Sequence, residues 1–214
     1  MSSIRFSLPP RSQITPNNEK DPLPFYYRRS TGWLYRHRLQ MGLDLLPAGG
    51  GSILEVGVGS GILIPTLTRH YTRYTGTDLV LAADLQRLVA PGCQASFAAA
   101  DLLDPSTLPG AAFDVIVCFS VLEHIADSVG AAASLAHALA PGGTLVTGYP
   151  MVSALMTRAF EAIGYKGIDE DHVSPPAKIS AALGRVLSPV ARVAFPPLAT
   201  LNTALYQCAA WHKF

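Results

Sequence analysis

The residues best suited to chemistry begin with three glycines at alternate positions, Gly57, Gly59 and Gly61, in the stretch ILEVGVGSGI. Glycine lets the backbone turn tightly and approach a ligand, and a helix that starts after such a turn directs free N–H groups at it. A dinucleotide fingerprint would need glycine where the chain has Ile62, and no G-K-[ST] sequence follows. The turn therefore favours a nucleoside without a pyrophosphate, or it serves only to pack a helix on a strand.

Two acidic residues follow at the ends of the next apolar runs. Asp78 ends YTGTDL, where a carboxylate can accept both hydroxyls of a ribose and would repel a 2′-phosphate. Capping of a following helix is the alternative for this residue. Asp101 in AAADLLD is placed to accept from an exocyclic amine such as that of adenine. Because open α/β sheets bind ligands outside the carboxyl ends of their strands, the two acids predict a nucleoside at one edge.

Two histidines are candidate catalytic bases. His124, in VLEHI, comes just after an apolar strand and titrates in a range that suits a base for a hydroxyl or amine. Alternatively, His124 and its neighbour Glu123 only cap and pack the following loop. His172, in DEDHVSPP, lies in an acidic, Pro-bounded loop that can act as a substrate lid. Consecutive residues cannot all face one ion, so we expect a solvated loop there and name no metal ligand.

An aromatic and basic stretch, FYYRRSTGWLYRHR, precedes the glycines. Tyr26, Tyr27 and Trp33 are candidates to close over the ligand and substrate, and Tyr149 in GTLVTGYP faces the same cleft from the end of a strand. The arginines of this stretch, Arg38 among them, can attract an anionic substrate or a membrane surface. The alternative is a solvated helix face whose aromatic rings pack on the sheet.

The elements that must position these residues alternate between strands and helices. Strands are predicted at ILEVGV, YTGTDL, ASFAAAD, FDVIVCFSV and GTLVTGYP, with a terminal antiparallel pair at VARVAFPPL and TALYQCAAWHKF. Helices are predicted from about Thr31 to Pro47, at GILIPTLTRHY, from about Val80 to Val89, and at GAAASLAHALAPGG, MVSALMTRAFEAIGY and PPAKISAALGRVL. This alternation predicts an α/β fold with a mostly parallel sheet that is buried on both faces.

The domain prediction is one domain with a short extension. The Pro-rich residues 1–24 form a flexible N-terminal arm, and residues 25–214 form the domain. Within it we expect a helical lid at 25–51, a ligand-binding core at 52–150, and substrate-side helices and terminal strands at 151–214. The chain has 214 residues, of which 49% are hydrophobic, enough for one well-buried domain.

Charge and cysteine content exclude several classes. The net charge of +1 argues against a nucleic-acid binder. The 3 cysteines are far apart, so they predict neither a disulfide framework nor a metal site, and a reducing compartment is expected. No apolar run is long enough to span a bilayer, and the N-terminus lacks the apolar core of a signal peptide. A cytoplasmic protein is predicted.

From about Ser52 to Pro150 the chain resembles the class I S-adenosylmethionine-dependent methyltransferases. The motifs that carry the resemblance are LEVGVGSG, GTDL, AADLLD, FDVIVCFSVLEHI and LAPGGTLVTGYP. It is nearest to the small-molecule, type 11-like branch, which has a VLEHI-type segment after the fourth strand. The resemblance implies a Rossmann-like sheet of seven strands with helices on both faces and an antiparallel terminal strand.

The resemblance also implies residue roles. The three glycines would line the methionine part of the cofactor, with Glu55 supporting their loop. Asp78, with Leu79 beside it, would hold the ribose. Asp101 would meet the adenine amine, with Leu102 packing nearby. Beside the transferred methyl would lie Phe119 and Ser120.

The function predicted on this basis is methyl transfer from S-adenosylmethionine to a small or medium organic acceptor. A histidine near the methyl favours an oxygen nucleophile, and the apolar C-terminal third favours an apolar acceptor. The same apolar composition can instead bury a homodimer interface. Two other classes stay open: an NAD(P)-dependent reductase, and a non-catalytic S-adenosylmethionine-binding subunit that supports a partner enzyme.

Overall fold

The computed structural model describes residues 4–19, 21–110, 112–151, 173–197 and 203–214. The strands are β1 Ser52–Val56, β2 Arg73–Asp78, β3 Gln94–Ala99, β4 Phe113–Phe119, β5 Leu139–Pro150, β6 Ser188–Phe195 and β7 Tyr206–His212. The α-helices are α1 Leu23–Tyr27, α2 Gly32–Leu43, α3 Ile64–Leu67, α4 Ser128–Ala138 and α5 Pro176–Leu183. Short 3₁₀ turns lie at Arg11–Gln13, Leu85–Leu88 and Leu122–His124.

The strands form one 7-stranded sheet in the order β3-β2-β1-β4-β5-β7-β6. β1 runs parallel to both β2 and β4, and parallel pairing continues to β3 and β5. β7 is antiparallel to its two neighbours, with Thr144 opposite His212 and Phe195 opposite Tyr206. The predicted α/β fold, with its mostly parallel sheet and reversed terminal strand, is confirmed. The strand order reverses between β1 and β4, the point at which such sheets open a ligand crevice.

Buried side chains divide between the two faces of the sheet. Along β1, Leu54 joins the cluster under α4 and α5, whereas Ile53 joins the cluster under α2 and α3. Along β4, Ile116 and Val117 alternate in the same way. Because both faces are covered, neither side of these strands needs polar residues, which explains their nearly unbroken apolar sequences.

The N-terminal segment differs from the flexible arm that was predicted. Ile4 and Ile14 are buried in the cluster under α2 and α3. The Phe6 N–H donates to the Gln40 side-chain oxygen at 2.8 Å, and the Ser7 N–H donates to the Thr66 hydroxyl at 3.0 Å. Two isoleucines set among many prolines carry no periodic pattern, so the sequence analysis found no burying face here.

Several predicted helices are shorter than expected. Of the stretch GILIPTLTRHY, only α3, Ile64–Leu67, is α-helical. The helix predicted across GAAASLAHALAPGG ends at Ala138, and β5 begins at Leu139, which pairs with Phe113. The helix predicted from about Val80 to Val89 is only the turn Leu85–Leu88, since Val80 is exposed and offers no face to the core.

The helix predicted at MVSALMTRAFEAIGY lies almost wholly outside the described residues. Among the helices that the structure describes, we find none with the length and apolar character needed to cross a bilayer.

Candidate functional site

A cavity of about 990 Å³ opens at the carboxyl ends of β1, β2, β3 and β4. Each strand end contributes one residue that the sequence analysis selected. Gly57 follows β1, Asp78 ends β2, Asp101 follows β3 beyond Ala100, and Phe119 ends β4. The parallel topology therefore brings four dispersed motifs to one site.

Gly57 and Gly59 give the turn after β1 its shape. Both have a left-handed backbone, with φ of 82° and 54°. A Cβ on Gly57 would lie 2.2 Å from Cγ2 of Val121, so no side chain fits there. A Cβ on Gly59 would have no neighbour within 4 Å, so Gly59 faces open space in the cavity. The turn thus presents bare backbone to whatever occupies the cavity.

Gly61 has a different position from the other two glycines. A Cβ on Gly61 would lie 2.8–2.9 Å from side-chain atoms of Ile64, Leu85 and Leu88. Gly61 is not among the described residues that line the cavity. It allows the turn to pack closely on α3 and on the turn after β2, which is the structural role weighed for these glycines.

Asp78 fastens the glycine turn to the end of β2. Its Oδ2 accepts the Gly59 N–H at 2.7 Å. The Gly57 N–H donates to the carbonyl oxygen of Thr77, the preceding residue of β2, at 2.8 Å. No helix begins at the described residues 79–83, so the helix-cap interpretation of Asp78 is wrong.

Glu55 lies beneath the same turn, buried within β1. The Tyr74 hydroxyl donates to its Oε2 at 2.6 Å, and the Thr77 hydroxyl donates to its backbone oxygen at 3.2 Å. Burial raises the pKa of Glu55 to about 8, opposed by the Tyr74 hydrogen bond. Glu55 also lines the cavity, and its role as a support of the loop stays a prediction.

The loop after β3 is held by its own hydrogen bonds. Oδ1 of Asp101 accepts the Leu103 N–H at 2.8 Å, and the Thr107 hydroxyl donates to the Asp101 carbonyl oxygen at 3.1 Å. Leu102 is buried, and Leu79 projects from the end of β2 on the exposed side. Asp101, Leu102 and Leu79 all line the cavity.

Ser120, directly after β4, has a strained backbone. Its φ of 56° is left-handed, which is uncommon for a residue with a side chain. Its N–H donates to the Gly148 carbonyl oxygen at 2.7 Å, and its Oγ lies 3.2 Å from the Tyr206 hydroxyl oxygen. The preceding Phe119 packs its ring on Gly42 of α2, where a Cβ would lie 2.3 Å from Cζ. Both residues line the cavity.

Arg38 brings a positive charge into the cavity from α2. Its Nη2 donates to the Tyr26 hydroxyl at 2.9 Å, and its guanidinium carbon lies 4.6 Å from the centre of the Tyr35 ring. Tyr206 approaches the guanidinium at 5.5 Å. The buried Nε of Arg38 has no hydrogen-bond partner among the described residues. A permanently charged group with an unused donor in a cavity is suited to an anionic ligand.

Glu123 lies in the turn Leu122–His124 after β4 and is 2% exposed. Within the described chain, neither of its carboxyl oxygens has a hydrogen-bond partner. Burial raises the pKa of Glu123 to about 8, and the shift is opposed first by the backbone N–H of Glu123 itself and then by the charge of Arg38. His124 differs: its side chain is 47% exposed, and its Nε2 lies 4.0 Å from Oε1 of Glu123. Both residues line the cavity.

The predicted substrate residues do not lie together. Tyr26 lines the cavity, whereas Tyr27, Trp33 and Tyr149 are not among its described lining residues. The Tyr27 hydroxyl donates to the Pro9 carbonyl oxygen at 2.6 Å, which ties α1 to the N-terminal segment.

Trp33 is half-exposed and packs edge-on against Phe195, with ring centres 5.9 Å apart. Tyr149 is buried, and its hydroxyl oxygen lies 2.9 Å from the Ser180 Oγ of α5. These contacts favour the packing alternative for Trp33, and they place Tyr149 against α5 rather than among the described residues that line the cavity. His172 lies outside the described residues.

The N-terminal segment supplies lining residues that the sequence analysis missed, among them Asn17 and Asp21. The Asn17 side-chain amide donates to the Val80 carbonyl oxygen at 3.0 Å. Asp21 accepts the Asn17 N–H at 2.8 Å and, through its other oxygen, the Leu23 N–H at 2.8 Å. No group of three or more His, Cys, Asp or Glu side chains in the described chain is arranged to hold a metal ion.

The model of a family described as methyltransferase domain matches residues 32–183. The chain belongs to this family. The resemblance to class I S-adenosylmethionine-dependent methyltransferases is thereby confirmed, and the methyltransferase match covers the glycine turn, both strand-end acids and the VLEHI segment.

Curated relatives of this methyltransferase-family chain include ubiquinone biosynthesis O-methyltransferases. The protein from Xylella fastidiosa (strain 9a5c) is 30% identical over 152 residues, which cover 62% of this chain and 60% of the relative. That from Escherichia fergusonii is 26% identical over 150 residues, covering 62% of each chain. The chain therefore matches less than two thirds of the length of either relative.

Solved structures share the fold. The N-methyltransferase NodS from Bradyrhizobium japonicum WM9, in complex with S-adenosyl-L-homocysteine, has a TM-score of 0.64 at 23% identity, covering 92% of this chain and 94% of that one. Geranyl diphosphate C-methyltransferase from Streptomyces coelicolor A3(2) has a TM-score of 0.66 at 14% identity, covering 98% and 91%. The first of these proteins is named an N-methyltransferase and the second a C-methyltransferase. The shared fold therefore does not determine which atom accepts the methyl group.

Proposed function

We propose that this chain transfers a methyl group from S-adenosylmethionine to a hydroxyl group of a small or medium, apolar organic acceptor. The observation that carries the proposal is the strand-end cavity, in which the glycine turn, Asp78 and Asp101 lie around one space. Membership of the methyltransferase domain family supports the reaction class.

The polar groups of the cavity suit the two ends of S-adenosylmethionine. At one end, the orphaned Nε of Arg38 is a charged donor suited to the carboxylate of the methionine tail. The open face of Gly59 admits the ligand close to the backbone. Asp78 uses Oδ2 for the turn, and we assign its other oxygen to the ribose hydroxyls. Asp101 and Leu102 are assigned to the adenine.

The cofactor supplies an activated methyl group on a sulfonium sulfur. The chain has to hold the acceptor in line with that methyl group and exclude water, and alignment alone supplies much of the rate of such displacements. Phe119 and Ser120 form the wall at the end of β4 where we place the methyl group. The strained backbone of Ser120 supports a functional role for this position.

Two observations support an apolar hydroxyl acceptor. Leu108, Val121, Ile125 and Pro150 line the cavity and offer an apolar surface. Relatives whose alignment covers 62% of this chain are named O-methyltransferases. We propose that the transfer goes to oxygen for these reasons.

Partners and location are also proposals. The net charge of +1 supports a small-molecule acceptor over nucleic acid. The free thiols of Cys93, Cys118 and Cys208 support a reducing, cytoplasmic location. The exposed side chains of Trp33 and Val190 support a homodimer interface at the protein surface. Analytical ultracentrifugation tests whether the protein is a dimer.

Calorimetric titration with S-adenosylhomocysteine and with NADH tests the cofactor. We expect the first to bind and the second not to bind. Tight binding of NADH alone would restore the reductase alternative, which Ile62 and the family match both disfavour. Transfer of labelled methyl groups to a panel of alkylphenols and alcohols tests the reaction. Binding of S-adenosylhomocysteine without transfer to any member would favour the non-catalytic subunit.

A further inference from the structure

Glu123 is a buried carboxyl group whose oxygens are unused. It is 2% exposed, lines the cavity, and has no hydrogen-bond partner at Oε1 or Oε2 within the described chain. Leaving a buried polar group unpaired costs about 1–3 kcal/mol, and more for a charged group. An unsatisfied buried group of this kind calls for an explanation, and a catalytic role is one of those known in native proteins.

The other carboxyl groups near the cavity floor have partners. Glu55 accepts the Tyr74 hydroxyl, and Asp78 accepts the Gly59 N–H. His124 has about half of its side chain in solvent. Of these groups, Glu123 is the one that combines full burial with vacant acceptor atoms.

The backbone around Glu123 is fixed from the opposite side. The Ser174 N–H donates to the Glu123 carbonyl oxygen at 3.0 Å, and the Ser174 hydroxyl donates to the Ile125 carbonyl oxygen at 2.6 Å. Lys178 of α5 donates to the Ala126 carbonyl oxygen at 2.5 Å. These contacts clamp the turn between β4 and α4 to the start of α5, so the Glu123 side chain is presented to the cavity by a rigid support.

The geometry points to Glu123, rather than His124, as the catalytic residue that accepts the proton of the methyl acceptor. We propose that the acceptor binds as a neutral hydroxyl compound and donates its O–H to the Glu123 carboxylate. This inference rests on the proposed function and names the acceptor class and the base at the same site.

The transfer breaks one O–H bond and one C–S bond and forms one O–C bond. The O–H bond of the acceptor breaks, and its proton moves to a carboxylate oxygen of Glu123. The electron pair left on the acceptor oxygen forms the new O–C bond. The electron pair of the broken C–S bond stays on sulfur, so the donor leaves as a neutral thioether. Glu123 then returns its proton to solvent.

The electrostatic surroundings of Glu123 set the pH at which it works. The titratable or charged described groups that face it are Arg38 from α2, Cys118 from β4, His124 from the same turn, Tyr149 from β5 and Tyr206 from β7. Burial raises the pKa of Glu123 to about 8, so the carboxylate form increases as the pH rises through neutrality. Turnover should rise over the same range.

The first experiment measures the pH profile of methyl transfer from S-adenosylmethionine to 4-butylphenol. The wild type should gain rate between about pH 6 and pH 9, and Glu123→Gln should lose at least about 100-fold in kcat, within the range attributed to a general base. Gln keeps the shape and one acceptor oxygen, so KM should change little. The Asp84→Asn variant is the matched control, since Asp84 is exposed, is not among the described cavity-lining residues and has the left-handed backbone that Asn tolerates.

His124→Gln decides between the two bases. If Glu123 is the base, this variant keeps the rise in rate with pH. A pH profile that flattens in His124→Gln and persists in Glu123→Gln overturns the inference, as does a wild type that binds 4-butylphenol but transfers no methyl group to it.

The second experiment measures binding without turnover. Protein saturated with S-adenosylhomocysteine is titrated at about pH 9, above the pKa of Glu123, with 4-butylphenol and with 4-butylanisole, which lacks the donor hydrogen. The wild type should prefer the phenol by at least about tenfold, the worth of one hydrogen bond to a charged group. Glu123→Met should lose the preference while keeping its affinity for S-adenosylhomocysteine, which shows that it is folded. A preference that survives in Glu123→Met overturns the inference. Failure of the wild type to bind S-adenosylhomocysteine would instead refute the proposed function.

Discussion

Asp78 accepts the backbone N–H of Gly59 through Oδ2 at 2.7 Å. The carboxylate at the end of β2 therefore holds the turn at the end of the neighbouring strand, β1. The predicted ribose ligand would take the remaining oxygen of the same side chain. Loss of Asp78 would therefore remove the proposed ligand contact as well as the observed hydrogen bond to the turn.

We expect Asp78→Ala to weaken S-adenosylhomocysteine binding by about 10- to 100-fold, equal to about 1–3 kcal/mol for a lost charged hydrogen-bond partner. Isothermal titration calorimetry measures the effect, and Asp84→Asn provides a control for the loss of one acidic charge. An affinity equal to that of the wild type would mean that Asp78 braces the turn and does not contact the ligand.

Arg38 should contribute to binding through the carboxylate of the methionine tail. Arg38→Met is expected to reduce affinity for S-adenosylhomocysteine by at least about tenfold, because a charge-assisted hydrogen bond is lost. Affinity for 5′-methylthioadenosine, which has the nucleoside but no carboxylate, should be unchanged. Equal losses for both ligands would show that the variant has disturbed the tyrosines around Arg38 instead.

Gly57 should tolerate no side chain, for steric and backbone reasons together. Gly57→Ala is expected to lower the free energy of unfolding by about 2–5 kcal/mol, from left-handed strain and overpacking against Val121. Gly92→Ala is the matched variant, because Gly92 has a φ of 88° with no neighbour within 4 Å.

Urea unfolding of the two variants separates the steric part of the Gly57 effect from backbone strain. Truncating the neighbour in Gly57→Ala/Val121→Ala should recover part of the loss, as expected for residues in contact. If Gly57→Ala and Gly92→Ala lower the free energy of unfolding by similar amounts, backbone strain accounts for the effect and contact with Val121 adds nothing.

Stability should fall as the pH rises from about 5 to 8, because two carboxyl groups are harder to ionise in the folded protein. Burial raises the pKa of Glu55 and of Glu123 from 4.5 to about 8. In this window the unfolded state has lost these protons and the native state still holds them, so raising the pH favours unfolding. Each group contributes at most about 5 kcal/mol to the decline, at about 1.4 kcal/mol for each pH unit.

Glu123→Gln removes one of the two titrations. Urea denaturation at pH 5 and at pH 8 should therefore show a smaller difference in the variant than in the wild type. The variant should also be the more stable protein at pH 8. A wild type whose unfolding free energy rises over this window would contradict both pKa directions.

The sequence was sufficient for the sheet and for the residues at its strand ends. Gly57, Asp78 and Asp101 each follow an apolar run, and parallel topology brings the ends of such runs together. Arg38 was recognised only as one of several basic residues, because its position depends on how α2 crosses the sheet. That crossing is set by contacts such as Phe119 on Gly42, which join residues distant in sequence.

Glu123 illustrates a second limit of sequence analysis. The sequence alone suggests for Glu123 only a role with His124 in capping and packing the following loop. The structure buries one and exposes the other, because a 3₁₀ turn directs neighbouring side chains to different sides. The N-terminal segment was misjudged because its two buried isoleucines follow no helical or strand period.

The position of β7 has a consequence for the order in which a nascent chain can fold. β6 is synthesised before β7, but in the sheet it pairs with β7 and so cannot join the sheet before β7 does. β5 likewise gains its outer neighbour only when β7 is present, for example when Thr144 can pair with His212. Until Tyr206–His212 has emerged from the ribosome, the buried strand β5 therefore presents an open edge, which is a template for pairing with another chain. Slow elongation or truncation within this short stretch should favour aggregation during synthesis, although the described residues that line the cavity, the last of which is Pro150, are translated earlier.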